Sequence, residues 1–205
     1  MFAHVDWPAF LFAMFVVELT PGPNMGWLAT LSAHRGRRAG MMAVAGITLG
    51  LALQLVAAAT GLTGLLAGSA LLYELLRWAG VAFMVYLAWE AFRDNGSASP
   101  AQGHGPSGFR RGLIANLLNP KALAFYVVVV GQFARPEGGL IWLQIFALGV
   151  IHLIVSVLIH TTIVMLGDGL GTMLQRWRTS LTVRSAFAIA LLTIAAWIAH
   201  STSRA

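Results

Sequence analysis

The chain has 205 residues, of which 58% are hydrophobic and 10% charged, with a net charge of +6 and no cysteine. Soluble domains carry about 25% charged residues, so this composition excludes an ordinary soluble fold and predicts an all-α polytopic membrane protein. Disulfides, thiolate metal sites and thiol-disulfide carriers are excluded, and arginines confined to gaps between apolar runs favour membrane orientation over nucleic acid binding.

Six apolar runs follow one another, each near the ~20 residues that span a bilayer. No Lys or Arg precedes Arg35, so the first run lacks the basic start of a cleaved signal and is expected to remain a span. Gly46 and Gly50 predict close helix packing in the second run. The runs cover residues 7–31, 41–66, 71–92, 113–133, 140–166 and 183–198.

Two of these runs are interrupted, the first by Pro21, Gly22 and Pro23 and the fourth by Pro120. Proline and glycine weaken a helix, and irregular backbone at membrane depth is tolerated only where it packs in protein or lines a cavity. Counting residues from the flanking arginines places both breaks near the membrane midplane. The breaks therefore predict the two sides of a substrate site.

The arginines are distributed unequally between the two sides of a six-span layout. The positive-inside rule places the richer side in the cytoplasm and both termini outside. A five-span layout would leave the basic cluster at 176–184 harder to place. The richer side has Arg35, Arg37, Arg38, Arg93, Arg110, Arg111, Arg176, Arg178 and Arg184; the other has Arg77, Arg135 and Arg204.

The layout divides into two halves of three spans, residues 1–93 and 110–205. The segment 94–109, rich in Gly, Ser, Pro and Gln, is predicted to be a cytoplasmic linker. Three spans is an odd number, so structurally related halves must be inverted in the membrane, as in many transporters. An apolar stripe over 169–182 predicts an interfacial helix, and Asp168 is expected to end the fifth helix.

Lys121 is the sole lysine and follows the second break, where a charge is costly unless it is paired or faces water. Snorkelling would require its side chain to reach ~15 Å, which is too far. Lys121 is therefore expected to pair with Glu18, to bind a substrate carboxylate, or to bind freed carbonyls. Glu18 is either its structural partner or a proton-coupling carboxylate, and these roles are compatible.

Asparagines lie beside both breaks and offer donors and acceptors to a substrate; capping a helix is the alternative role for each. In the fifth run, His152, Ser156 and His160 share one helical face and predict a polar pathway or proton relay, whereas metal ligation is disfavoured by the separation of the imidazoles. The predicted substrate-binding residues are Glu18, Thr20, Pro21, Gly22, Pro23, Asn24, Asn116, Asn119, Pro120 and Lys121.

The chain resembles the LysE/RhtB family of bacterial amino acid exporters. The matching segments are TPGPN at 20–24, HRGRRAG at 34–40, AGITLG at 45–50, LLRWAGVAFMVYLAW at 75–89 and FRRGLIANLLNPKALAF at 109–125. The resemblance implies a six-span inner-membrane exporter driven by the proton gradient. It also implies a set of family motif residues, namely Pro21, Gly22, Pro23, Asn24, Asn119, Pro120 and Lys121. Glu18 stands where many relatives carry an uncharged residue and Ser156 where some carry an acidic one, so the resemblance leaves the coupling carboxylate open.

Three functions compete at this point. Secondary export of amino acids or their derivatives leads, because no nucleotide-binding or other cofactor motif is present. Divalent metal efflux by a related fold is the alternative, although few carboxylates and imidazoles lie inside the predicted spans. An intramembrane hydrolase using a serine with Lys121 gives the paired breaks no role. The expected partners are an amino acid, protons and the bilayer, and the sequence allows a homodimer.

Overall fold

The computed structural model describes residues 5–19, 23–61, 69–93, 106–135 and 139–173, with individual helical residues between 181 and 196. All regular elements within these ranges are helical, as predicted. In chain order they are α1 (Trp7–Leu19), α2 (Pro23–Arg35), α3 (Arg37–Ala59), α4 (Ala70–Arg93), α5 (Pro106–Leu117), α6 (Pro120–Ala124), a π-helical segment (Phe125–Val130), α7 (Gly131–Phe133) and α8 (Ile141–Met173).

The predicted break in the fourth run is confirmed, whereas residues 20–22 of the first run lie outside the described ranges. The first apolar run forms α1 and α2, with α2 beginning at Pro23, and the fourth run is divided where α6 begins at Pro120. Proline suits the first position of a helix, where its missing N–H would have no helical partner. Asn119 caps α6, because its Oδ1 accepts the backbone N–H of Lys121 at 3.0 Å.

Two helices among the described residues are long and apolar enough to cross a bilayer, namely α3 and the segment Ile141–Gly171 of α8. At 23 and 31 residues they measure about 35 and 46 Å at 1.5 Å per residue. The apolar α1 is shorter. The proline breaks divide the first and fourth predicted spans into pieces that are individually too short for a bilayer.

The structure corrects two expected helix boundaries. The fifth helix does not end at Asp168, since α8 continues to Met173. Asp168 instead accepts the backbone N–H of Arg37 at 2.9 Å and supplies the cap that Gly36 lacks at the start of α3. The predicted interfacial helix thus shares residues 169–173 with α8, and its residues 174–180 lie outside the described ranges.

The second correction concerns the linker at 94–109. Helix α5 already begins at Pro106, inside that segment. Proline has a backbone φ suited to the first turn of a helix, so the composition that suggested a linker also starts the helix. Residues 94–105 lie outside the described ranges.

Glycines bring the central helices together at backbone distance. A Cβ on Gly46 would meet the carbonyl oxygen of Phe109, and one on Gly50 would meet the Asn116 side chain at 2.8 Å. These contacts confirm the predicted close packing of α3, here against α5. Gly167 and Gly171 of α8 approach the backbone of Ala29 and Ala33 in the same way, so α2 packs on α8.

The pairing of residues along these contacts gives the helix directions. On α3 and α5, higher numbers pair with higher numbers, from Gly46 beside Phe109 to Gly50 beside Asn116, so these helices run parallel. α2 and α8 are parallel by the same criterion. α3 and α8 run antiparallel, because Gly40 lies beside Val164 while Leu55 lies beside Gly149.

The described part of the bundle exposes large apolar side chains and buries several polar ones within an otherwise apolar core. Phe12 is 73% exposed and Leu166 is 70% exposed, whereas Asn116 and Ser156 are fully buried. Soluble proteins place most polar side chains in water, so this distribution fits an exterior in contact with hydrocarbon. Glu18, Gln54 and His152 are also buried.

We expect Gly46→Ala to lower the unfolding midpoint of the purified protein in detergent. The new methyl group would collide with the backbone of α5, and overpacking of this kind costs about 1–3 kcal/mol. The matched control is Gly169→Ala, whose Cβ meets nothing within 4 Å and which gains roughly 0.5–1 kcal/mol of helix propensity. Equal shifts in the two variants would contradict the described packing.

Candidate functional site

A cavity lies where the two helix breaks approach each other. The space between its walls measures about 370 Å³, including its mouth. Its walls come from the end of α1, the start of α2, the middle of α3, both sides of the second break, and one face of α8. The polar side chains that line it are Glu18, Asn24, Asn116, Asn119, Lys121, His152, Ser156 and His160.

A short polar contact in the cavity joins α1 to α8. The carboxylate Oε1 of Glu18 lies 2.8 Å from Nε2 of His152, and both side chains are buried. When Glu18 is ionised it only accepts hydrogen bonds, so Nε2–H of His152 donates to it. The pair can hold one proton more or less without losing this hydrogen bond, because either member can act as the donor.

The imidazole of His152 is fixed on two further sides. Its Nδ1 lies 3.3 Å from the hydroxyl of Tyr126, and its ring stacks on Phe125 with centroids 3.8 Å apart. Both aromatic residues belong to the π-helical segment that follows the second break. The tyrosine hydroxyl also lies 3.4 Å from the Leu51 carbonyl oxygen, to which it can donate instead. Residues after the second break therefore orient the partner of Glu18.

A chain of three amides connects α2, α5 and α3. Nδ2 of Asn24 donates to Oδ1 of Asn116 at 2.9 Å, and Nδ2 of Asn116 lies 3.4 Å from Oε1 of Gln54. Nε2 of Gln54 donates to the backbone oxygen of Asn116 at 3.3 Å. The amides cross-link residues on both sides of the cavity and tie each break to α3.

The remaining polar residues of the cavity face it from the second break and from α8. Lys121, in the first turn of α6, is partly exposed. One turn apart on α8, Ser156 and His160 are joined by a contact of 3.1 Å between Oγ and Nδ1. A cation and a carboxylate thus line the same space, together with uncharged donors and acceptors.

The structure brings most of the predicted site residues together. Eight of them line the cavity: Glu18, Asn24, Asn116, Asn119, Lys121, His152, Ser156 and His160. Pro23 and Pro120 begin the helices after the two breaks. Thr20, Pro21 and Gly22 lie outside the described residues.

Sequence reasoning missed two polar residues of this region. Gln54 is the only amide side chain in the run 41–66, a signal that could have identified it as a buried partner. Tyr126 follows the second break by six residues and contacts His152 only because the π-helical segment directs it there. The expectation for Glu18 centred on Lys121, whereas the hydrogen bond shown by the structure is to His152.

The described residues contain no group of three or more His, Asp or Glu side chains arranged to hold a metal ion. Glu18 and His152 are the closest such pair in the cavity, and they bond to each other. The chemistry of this lining is that of hydrogen bonding and ion pairing.

Comparison with known proteins identifies the family. The family model for the LysE type translocator matches residues 15–202, nearly the whole chain. The chain belongs to the LysE type translocator family. The match spans both proline motifs and every wall of the cavity.

Relatives of this translocator carry names of efflux proteins. This chain is 30% identical over 175 residues to the homoserine/homoserine lactone efflux protein of Salmonella typhimurium. The match covers 83% of this chain and 81% of the relative. The chain is 32% identical over 133 residues to the leucine efflux protein of Salmonella choleraesuis, 62% of each chain. An uncharacterized membrane protein of Pseudomonas aeruginosa is 33% identical over 182 residues, 83% of this chain and 82% of its own. No solved structure matches the chain.

We expect His152→Leu to destabilise the folded protein more than the double variant Glu18→Leu/His152→Leu. The single change leaves a buried carboxylate without its donor, which costs about 1–3 kcal/mol, whereas removing both groups leaves nothing unpaired. The unfolding midpoints of the wild type, the two single variants and the double variant, measured in detergent, form a double-mutant cycle. Purely additive shifts would show that the two side chains do not interact.

Proposed function

We propose that this protein is a secondary transporter that exports amino acids or their derivatives from the bacterial cytoplasm. The observation that carries the proposal is the cavity between the two broken helices, because it places Glu18 and Lys121 around one small space. An amino acid carries one positive and one negative group, so it matches such a site. The names of the efflux relatives support the same substrate class.

In the proposed bound state the substrate carboxylate lies at Lys121 and its ammonium group near Glu18. Charge-assisted hydrogen bonds are the strong ones, and a water-poor site strengthens them further. The amino acid side chain then contacts apolar residues of the walls, such as Val17, Met25 and Leu51.

The proposed architecture is six spans in two inverted halves, with both termini outside the inner membrane. In that layout the first and fifth spans run in one direction and the second and fourth in the other. The parallel pairs α2 with α8 and α3 with α5, and the antiparallel pair α3 with α8, agree with this alternation. The contact between Arg37 and Asp168 also agrees, since both residues fall on the side assigned to the cytoplasm.

Proton coupling is part of the proposal. Glu18 and His152 form a hydrogen-bonded pair that can gain or lose a proton at the substrate cavity. His160, which is hydrogen-bonded to Ser156, adds a second imidazole along α8. An inward movement of protons would then accompany outward movement of the amino acid.

Export is tested with purified protein in proteoliposomes loaded with labelled homoserine, leucine or other amino acids. We expect efflux that accelerates when the external medium is acidified, and a protonophore should abolish this acceleration. Glu18→Ala and Lys121→Ala should each slow it by about tenfold or more, the factor for losing one charged hydrogen bond. Wild-type rates in both variants for every exported amino acid would refute the site, and insensitivity to the proton gradient would refute the coupling.

Topology is tested by labelling single cysteines, because the natural chain contains none. We expect a membrane-impermeant maleimide to label Ala3→Cys and Ser203→Cys from outside intact cells. Ser97→Cys, in the predicted linker, should react only after the membrane is permeabilised. Labelling of Ser203→Cys from the cytoplasmic side alone would establish an odd number of spans.

A further inference from the structure

The second helix break changes the hydrogen bonding of the Asn116 carbonyl group inside the bundle. In a continuous helix the oxygen of Asn116 would accept the N–H of residue 120, but Pro120 has none. The oxygen accepts the N–H of Asn119 at 3.0 Å and Nε2 of Gln54 at 3.3 Å. Gln54 therefore supplies, from α3, a donor that the proline removes.

The Asn116 carbonyl determines the orientation of the three amide side chains, those of Gln54, Asn116 and Asn24. A backbone oxygen can only accept, so Gln54 directs its NH₂ group there and its Oε1 toward Nδ2 of Asn116. Asn116 is thereby left with Oδ1 toward α2, where it accepts from Nδ2 of Asn24 at 2.9 Å. Each amide fixes the orientation of the next.

The series of three amides ends at Asn24 with an acceptor that has no donor. Oδ1 of Asn24 is buried and has no hydrogen-bond partner in the part of the protein that the structure describes. The Asn24 side chain is only 4% exposed and lines the cavity. Buried amide oxygens are normally satisfied, so a ligand that brings a donor to this place gains a hydrogen bond at little cost in hydration.

We propose that Oδ1 of Asn24 accepts an N–H from the ammonium group of the substrate, and that Gln54 is the positioning residue that keeps this oxygen available. The inference rests on the proposed function, since it concerns the same cavity. Glu18 on that cavity favours a positively charged donor over a neutral hydroxyl. With the amides reversed, Asn24 would present an NH₂ group, which cannot accept from an ammonium.

The test measures how strongly the transporter distinguishes an amino acid from the same molecule without its ammonium group. The probes are leucine with 4-methylpentanoate and homoserine with 4-hydroxybutanoate, each used as an inhibitor of labelled efflux. The ratio is the inhibition constant of the molecule without the ammonium group divided by that of the amino acid. We expect this ratio to fall by about tenfold in Asn24→Leu, which lacks the acceptor. Gln54→Leu should lower the ratio several-fold, because the amides then lose their fixed orientation.

Two comparisons separate positioning from a general structural effect. Because Gln54 acts through Asn24, the double variant Asn24→Leu/Gln54→Leu should have the same ratio as Asn24→Leu alone. The effects of the two changes should not multiply. Gln144→Leu is the matched control: Gln144 is a buried glutamine that bonds the carbonyls of Arg135 and Gly139, away from the cavity. It should leave the ratio unchanged. Gln54→Met, closer in length to glutamine, replaces Gln54→Leu if that variant does not fold.

The possible outcomes separate this inference from the proposed function. Wild-type protein that exports none of the amino acids overturns both. Wild-type protein that exports them, with ratios unchanged in Asn24→Leu and in the Gln54 variant, overturns only the role of the amide chain. A lowered ratio in Gln144→Leu as well, or multiplied effects in the double variant, would assign Gln54 a structural role and overturn its role in positioning.

Discussion

Backbone hydrogen bonding is the constraint on which the structure around the cavity depends. Away from water, a carbonyl or N–H group without a partner is costly, and a proline inside a span creates such groups. Two side chains supply hydrogen bonds at the second break. Asn119 caps α6, and Gln54 from α3 donates to the carbonyl of Asn116. One member of the polar lining of the cavity, Asn119, therefore also hydrogen-bonds the backbone.

Close packing makes these contacts possible. An asparagine or glutamine side chain is short, so the amide chain needs helices at backbone distance. Gly50 provides that distance, because a Cβ there would occupy the place of the Asn116 side chain. The glycines of α3 and the amides of the cavity thus form one arrangement, in which small residues on one face allow hydrogen bonds on the next.

The sequence predicts the general features of this arrangement because proline, glycine and buried charge have strong local signatures. Both helix breaks and the polar face of α8 follow from residue type and helical period. The partner of Glu18 does not follow, because His152 is 134 positions away and its orientation depends on Tyr126 and on the π-helical segment. Likewise, Asp168 between two glycines suggests a helix end, whereas Gly167 packs α8 against α2 and the helix continues to Met173.

The cap that Asp168 provides has a consequence for biogenesis. The first turn of α3 has no side-chain cap within its own segment, and Arg37 N–H is bonded by a carboxylate 131 residues later. When synthesis proceeds from the amino terminus, α3 exists before α8 has been made. The start of α3 is therefore completed only when α8 joins the bundle, which makes the pairing of these two helices a late step of maturation.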